Sequence, residues 1–403
     1  MSDYDVIIVG GGPAGSTAAR RIAQRNLNVL LLDKATFPRV KPCAGGMTDR
    51  VRNVLDFSID EVVQRRSFGQ RIFSPSGDIV DCTRPVTTGD LLMRGDFDTL
   101  LLRKAEEAGA KVREGVNVVN AEQDADKVTV TTSEEERIEA KYLIGADGIN
   151  SVVAKSLGFY KRWSAKDAAI CIEIEAEVGE EAVERICGVP YEEKGVAVHI
   201  YFGPVPFGYI WCFPKKSILS LGAGCMQAKA KNIRGLFNKW FEDFKEKHDI
   251  DPVIISDTAA RVPYSGAVKK TVIGRTILIG DAAGFVYPFS AEGIVLGVQS
   301  AIIAAPVLER AVANSNPCIL TEFEKGWKQA FGSDLKVAKS TANLMFKSEK
   351  NLNTILRLAH EDQVIGDIMY QMIAGLDSYK NLQRQQMKRI LTKHPLAGLS
   401  LYI

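Results

Sequence analysis

Tyr4-Asp5-Val6-Ile7-Ile8-Val9-Gly10-Gly11-Gly12-Pro13-Ala14-Gly15 reads as an apolar strand that runs into a G-x-G-x-x-G turn and opens a helix extending to about Gln24. Glycine lets the backbone approach a pyrophosphate closely, and a helix N-terminus offers free N–H groups and the positive end of the peptide dipole. Gly10, Gly12, Ala14 and Gly15 are the positions that would hold such a group. A second apolar strand, Val29 to Leu32, ends in Asp33, whose carboxylate can accept both ribose hydroxyls of an adenosine. Strand, turn, helix and correctly spaced acid together predict a dinucleotide site at the head of an α/β domain.

Outward from this stretch the texture changes. Strand and helix patterns alternate to about residue 160, with a helix expected over Phe97 to Ala108 and strands around Val112 to Val119 and Val128 to Thr132. Residues 161 to about 256 read mostly as strands, among them Ala169 to Val178, Val196 to Phe202 and a pair between Tyr209 and Met226. The α/β texture resumes at Thr276, and helices alone follow Pro317. The expected organisation is a discontinuous α/β domain (1–66, 88–160 and 257–316), a β-rich domain (67–87 and 161–256) and a helical C-terminal domain (317–403).

Composition narrows the function. The 403 residues are 46% hydrophobic and 25% charged, an ordinary globular balance. Fifty-one basic against 49 acidic side chains leave +2, so no overall field recruits nucleic acid. Seven scattered cysteines without a C-x-x-C pair argue against zinc, an iron–sulfur cluster and a disulfide framework. The four histidines form no catalytic or metal motif. An acidic start without a basic region before its apolar run predicts a cytoplasmic protein. The longest apolar stretch, Gly293 to Leu308, is interrupted by Gln299 and Ser300 and is expected to be a buried helix, not a membrane span.

Two further turns specify the dinucleotide. Gly145-Ala146-Asp147-Gly148 and Gly280-Asp281-Ala282-Ala283-Gly284 each end a strand, and the second leads to a helix near Glu292. With the first turn, in this order, they resemble the three fingerprints of the FAD-binding para-hydroxybenzoate-hydroxylase-like superfamily. That resemblance implies a Rossmann-like FAD-binding domain with an inserted antiparallel β-sheet substrate domain and a C-terminal helical segment. It implies that Asp147 belongs to the cofactor site and that Asp281 meets the ribityl chain or pyrophosphate. It also implies that the helix at Gly293 and Ile294 points its N-terminus at the flavin pyrimidine. Arg94 of Arg94-Gly95-Asp96-Phe97-Asp98 matches an R-x-x-F-D segment whose arginine contacts the cofactor, and Val118 falls where backbone groups meet the adenine.

Within the β-rich part, Gly208-Tyr209-Ile210-Trp211-Cys212-Phe213-Pro214 puts Tyr209, Trp211 and Phe213 on one face of a strand. Such a face is either packed core or the wall of an apolar pocket. Y-x-W-x-F-P followed by Gly222-Ala223-Gly224 is similar to the signature of the geranylgeranyl reductase family, both of archaeal lipids and of chlorophyll type. Lys41-Pro42-Cys43-Ala44-Gly45-Gly46 resembles its K-P-C-G-G loop, with Ala44 where glycine is usual. Ser290-Ala291-Glu292-Gly293-Ile294 is closer to the S-G-E-G-I of the chlorophyll-type members than to the G-G-G-I of several archaeal lipid enzymes, so the resemblance leaves the prenyl substrate open. The resemblance implies that Cys43, Ala44 and Gly46 lie beside the flavin. It implies that Tyr209, Trp211, Phe213, Gly222 and Gly224 meet an isoprenoid lipid or other prenyl substrate.

An isolated C=C bond is unpolarised, so hydride addition requires a proton at nearly the same time. If the proton leads, positive charge develops on carbon, and an aromatic face stabilises it by about 1–2 kcal/mol when desolvated. Trp211 and Tyr209 are assigned that role, and Cys43 is a candidate proton donor or gate. Lys215 and Lys216 are candidates for a phosphate head group. Two other classes stay open: an aromatic monooxygenase on the same fold, and a non-catalytic flavin or lipid-binding protein. No second dinucleotide turn occurs, so electrons would come transiently from NAD(P)H, ferredoxin or another carrier. From Pro317 onward twelve basic and eight acidic residues leave +4. Lys380, Arg384, Lys388, Arg389 and Lys393 precede the apolar end Leu396 to Ile403, which suits peripheral docking on the inner membrane face.

Overall fold

The computed structural model describes residues 4–288 and 290–401. The chain divides into two units. The first comprises Met1–Val40, Arg94–Ser164 and Val262–Leu335, and the second Lys41–Met93, Ala165–Arg261 and Lys336–Ile403.

The first unit is built on a sheet whose strands lie in the order Val272–Ile273, Thr276–Leu278, Arg137–Gly145, Tyr4–Val9, Val29–Leu32 and Lys111–Arg113. The pairings of Tyr4–Val9 with both neighbours are parallel, Val6 lying opposite Val29 and Tyr142. Val6 to Val9 and Val29 to Leu32 are buried throughout, as parallel strands covered on both faces require. Helix Pro13–Ala23 presents Ala14, Ala18, Ala19 and Ile22 to the interior. A Cβ placed on Gly297 of helix Ile294–Ala313 would lie 3.3 Å from Ala14 Cβ, so small residues let these two helices approach closely. Helix Ile294–Ala313 is longer than expected: its 20 residues are long and apolar enough to cross a membrane by length and composition. Val295, Leu296, Val298, Ala301, Ala304, Ala305 and Leu308 are nevertheless buried within the fold.

In the second unit a nine-stranded sheet runs Val253–Pro263, Ala168–Glu177, Ile218–Met226, Gly208–Pro214, Val196–Phe202, Val63–Phe73, Gly89–Leu92, Gly46–Thr48, with Ile79–Thr83 paired to Val63–Phe73. One face packs Ile172, Ile174, Ile210, Cys212, Leu219, Leu221 and Ala223 under helices Glu180–Cys187 and Ile233–His248, through Val183, Ile186, Phe237 and Phe244. The alternate residues of the same strands face the other way.

These units correct the expected boundaries twice. Residues 41–66 and 88–93 belong with the β-rich unit, because Gly46–Thr48 and Gly89–Leu92 pair with each other and Gly89–Leu92 continues onto Val63–Ser67. Three- and four-residue strands carry too little periodicity to announce themselves. The C-terminal helices form no third unit. Up to Leu335 they pack on the first, where the Trp327 indole N–H donates to Thr271 Oγ1 at 2.9 Å and the Phe285 ring lies 5.0 Å from that of Trp327. From Lys336 they pack on the second. There Phe346 meets Phe202 at 6.0 Å, the Cys82 thiol donates to the Gly366 carbonyl at 3.7 Å, and Arg84 pairs with Asp367.

Candidate active site

In the first unit the three glycine-containing turns do converge. Gly10 has φ of +106°, and a Cβ there would strike the Ala146 carbonyl oxygen, so the Asp147 turn seats directly against the first turn through backbone. A Cβ on Gly280 would lie 2.9 Å from Ala14 Cβ, which brings the Asp281 turn to the same helix start. Gly12 caps helix Pro13–Ala23 with no side chain bonding its first amides and no acid in its first turn. A Cβ on Gly12 would meet only Arg39, at 3.5 Å. These uncapped amides, with room in front of them, fit an anionic diphosphate.

Asp33 is held for recognition: its Oδ2 accepts from Gly11 N–H at 2.6 Å and its Oδ1 from Ala35 N–H at 2.8 Å. Each oxygen keeps a lone pair for a ribose hydroxyl. Asp281 Oδ1 would lie 3.3 Å from a Cβ on Gly293, the residue that opens helix Ile294–Ala313 without a capping side chain. The residues present therefore fit FAD at its pyrophosphate, ribose and helix-terminus positions.

Three assigned positions are also held by partners or packing within the chain. Arg94 forms a two-point pair with Asp98, Nε and Nη2 each at 2.9 Å, and Arg39 joins the same fully buried carboxylate at 2.9 Å. Asp98 thus fixes Arg94 and Arg39 together. Asp147 Oδ2 accepts from the Val152 and Val153 amides at 2.7 and 3.3 Å, so it holds the start of a short helix, and burial pushes its carboxyl above the ordinary range. Val118 is buried at the start of its strand, whereas Val116 N–H donates to the Asp33 carbonyl at 2.8 Å and Glu114 accepts from Phe37 N–H at 2.5 Å. Arg39, Glu114 and Val116 carry no signal in the sequence, because only the return of the chain beside Asp33 brings them there.

The second unit assembles the aromatic face. Register sets three rows across the strands Gly208–Pro214, Ile218–Met226 and Ala168–Glu177: Tyr209–Gly224–Cys171, Trp211–Gly222–Glu173 and Phe213–Ser220–Glu175. The Trp211 indole lies over the two glycines. A Cβ on Gly222 would collide with its ring, and one on Gly224 would come within 3.4 Å of Cζ3 and 3.1 Å of Cys171 Sγ. Trp211 is buried, and its Nε1 finds no hydrogen-bond acceptor among the described residues. Tyr209 stacks edge-on against it at 6.3 Å.

The loop from Lys41 to Gly46 docks on this same face. Cys43 N–H donates to Glu173 Oε1 at 2.8 Å, the Ala44 carbonyl accepts from Lys215 Nζ at 2.9 Å, and a Cβ on Gly46 would enter the Phe213 ring. Ala44 is not among the residues with positive φ; Gly45 is, at +70°, so the loop turns there and the missing glycine costs no conformation. Lys215 is not a surface phosphate ligand. Its side chain is 1% exposed and bonded to Ser220 Oγ, with Glu175 Oε1 at 3.7 Å and Ser220 in turn donating to Glu175 at 2.6 Å. Lys216 is exposed and pairs with Glu180. The acids Glu173 and Glu175 were legible in principle as the alternate positions between Ile172, Ile174 and Ala176, but nothing in the sequence showed what stood opposite them. Cys171, at the end of the first row, is half-buried, and desolvation pushes its thiol up to about 12.

The first unit, with residues that fit FAD at three positions, defines a flavin-binding protein. An FAD binding domain family model matches residues 3–185. The chain is 34% identical over 319 residues to an uncharacterized protein of Methanosarcina barkeri, covering 77% of this chain and 76% of that one. It is 29% identical to digeranylgeranylglycerophospholipid reductase of Methanocaldococcus jannaschii, over 97% and 96% of the two chains. In fold it is similar to a geranylgeranyl bacteriochlorophyll reductase-like protein from Thermoplasma acidophilum, with a TM-score of 0.79, 23% identity and coverage of 99% and 98%. It is also similar to the halogenase PltM in complex with FAD, with a TM-score of 0.73, 20% identity and coverage of 99% and 95%. The chain belongs to one family with the Methanosarcina barkeri protein, and it is an FAD-dependent oxidoreductase.

Proposed function

We propose that this enzyme saturates isolated C=C bonds of geranylgeranyl chains carried on a glycerolipid, and the observation that carries the proposal is the Trp211 indole laid over Gly222 and Gly224 between Tyr209 and Phe213. The methanogen relatives named as digeranylgeranylglycerophospholipid reductases support this substrate class. Bound FAD, once reduced by an external donor, supplies the hydride equivalent. Gly10, Gly12, Ala14, Gly15 and Asp33 hold it, with Asp281, Gly293 and Ile294 at the second helix start. Tyr209, Trp211 and Phe213 receive the chain, and the indole face stabilises positive charge that develops on the alkene as a proton arrives.

Dithionite-reduced enzyme is to be incubated with geranylgeranyl diphosphate, a geranylgeranylated glycerolipid and a prenyl quinone, and the products weighed by mass spectrometry. The glycerolipid is expected to gain hydrogen; if none of the three does, the proposal fails. Oxygen uptake with a phenolic substrate would favour an aromatic hydroxylase instead. Trp211→Leu is expected to lower kcat at least tenfold with KM little changed, since charge on carbon exists only in the transition state. Equal losses would reduce Trp211 to a packing residue.

Access to a lipid also calls for a membrane-facing surface, and the last two described helices, Tyr379–Lys393 and Pro395–Ser400, supply one. Leu391, Leu396 and Leu399 are 53%, 82% and 59% exposed beside the exposed Arg384, Lys388 and Lys393. Arg389 is not part of this group, because it pairs with Asp362 at 2.8 Å; Tyr402 and Ile403 lie outside the described residues. Replacing the three leucines by serine is expected to abolish co-sedimentation with anionic vesicles while leaving FAD content unchanged. Sedimentation equal to wild type would remove the membrane surface from the proposal.

A further inference from the structure

A dinucleotide diphosphate is an anion, and the first amides of helix Pro13–Ala23 offer it only the partial positive charge of a peptide dipole. We infer that Arg39 supplies the full charge, its guanidinium closing on the FAD diphosphate across Gly12. The inference rests on FAD as the cofactor and is independent of the prenyl substrate. Every residue it uses belongs to the first unit.

Three observations meet on Arg39. Among the described residues, its Nη2 is the one atom within 4 Å of the position a Cβ on Gly12 would take, at 3.5 Å, so the guanidinium borders the open space before the helix amides. Its Nε is buried and has no hydrogen-bond acceptor among the described residues. A buried donor without an acceptor is costly, and the positive end of a helix disfavours a nearby cation. An anion seated between Arg39 and the amides removes both penalties. Finally, the side chain is held in advance of any ligand. It is 16% exposed, its Nη2 lies 2.9 Å from Asp98 Oδ2, and its guanidinium sits 5.0 Å from the centre of the Phe37 ring. The start of helix Arg94–Glu107 braces the backbone, since a Cβ on Gly95 would lie 3.4 Å from the Arg39 carbonyl oxygen.

Arg94 provides the contrast. It gives both Nε and Nη2 to Asp98, each at 2.9 Å, so its Nε is taken up where that of Arg39 is not. Asp98 therefore keeps a two-point partner when Arg39 is replaced, and no buried carboxylate is left without a cation. Arg39 is a cofactor-binding residue, and Asp98 and Phe37 position it.

The test compares full-length wild type and Arg39→Gln, each stripped of flavin and titrated with FAD, ADP and adenosine. Arg39→Gln is expected to weaken FAD by about 10- to 100-fold, the range of a charge-assisted hydrogen bond. ADP is expected to weaken by a like factor, while adenosine, which lacks the diphosphate, binds as to wild type. Without ligand the Tm is expected to match wild type, and the rise in Tm at a fixed FAD concentration is expected to shrink. A purely structural role predicts the reverse, a lower Tm without ligand and an unchanged preference for ADP over adenosine, and that result overturns the assignment. Equal weakening of ADP and adenosine overturns it as well, because Arg39 would then act at the adenosine end. If Arg39→Gln does not fold, Arg39→Lys carries the same comparison, since it keeps the charge without the planar Nε–H. A smaller loss confined to FAD and ADP is expected; a loss shared by adenosine, or no loss at all, overturns the assignment. No prenyl lipid enters these titrations, so failure of the reductase reading leaves their outcome untouched.

Discussion

Two glycine-rich loops, Gly10 to Gly15 in the first unit and Gly45-Gly46 in the second, look alike as sequence and do opposite things. At Gly12 the space a side chain would take is open apart from Arg39 at 3.5 Å, and the uncapped amides of helix Pro13–Ala23 border it. At Gly46 that space is filled by the Phe213 ring, and at Gly222 by the Trp211 ring. At Gly12 the missing side chain leaves open space in front of helix amides; at Gly46 and Gly222 it makes room for aromatic rings.

The contrast can be broken at three places. Gly10→Ala has the largest expected effect, since it meets both a left-handed backbone and the Ala146 carbonyl. A cost of about 2 kcal/mol should lower Tm by several degrees and yield protein depleted of FAD. Gly12→Ala should leave Tm within error and weaken FAD about tenfold by equilibrium dialysis; a Tm loss like that of Gly10→Ala would show that this loop too is filled by protein. Gly222→Ala should displace the Trp211 indole, shift its fluorescence and lower prenyl turnover at least tenfold with FAD fully bound. Retained turnover would show that the face tolerates a different ring position.

Smaller effects test each unit away from these loops. The Arg389 guanidinium, with His394, holds the Asp362 carboxyl down to about 2. A depressed folded-state pKa contributes stability above the ordinary carboxylate range that is lost as pH falls toward 2. The Tm difference between wild type and Asp362→Asn should therefore be largest near pH 6 and shrink below pH 4; a constant difference would mean that Asp362 acts only by capping helix Gln363–Ala374. Ala291 is a non-glycine residue at φ of +56°, a backbone conformation that favours glycine. Ala291→Gly should stabilise the first unit by about 1 kcal/mol, seen as a small rise in Tm.

Much of the first unit was legible because its signals are local. The parallel strands Tyr4–Val9 and Val29–Leu32 are buried on both faces, so they read as unbroken apolar runs, and the turn chemistry of Gly10 to Gly15 sits between them. In the second unit the alternation of Tyr209, Trp211 and Phe213 was equally plain. Its boundaries were not, because Gly46–Thr48 and Gly89–Leu92 are too short to show a period and acquire meaning only when paired. Nor could charge type tell Lys215 from Lys216, although one is buried in a network with Glu175 and the other is exposed.

By itself the sequence determined the cofactor class and the chemical character of the aromatic face, since both follow from residue types at fixed spacing along single strands and turns. Tertiary structure alone decided which groups share that face. Cross-strand register put Glu173 level with Trp211, put Glu175 within reach of Lys215, and the fold of the first unit turned Arg94 and Arg39 onto one buried carboxylate. Register is a property of strands far apart in the chain, fixed by core packing on the opposite face, and no local pattern records it.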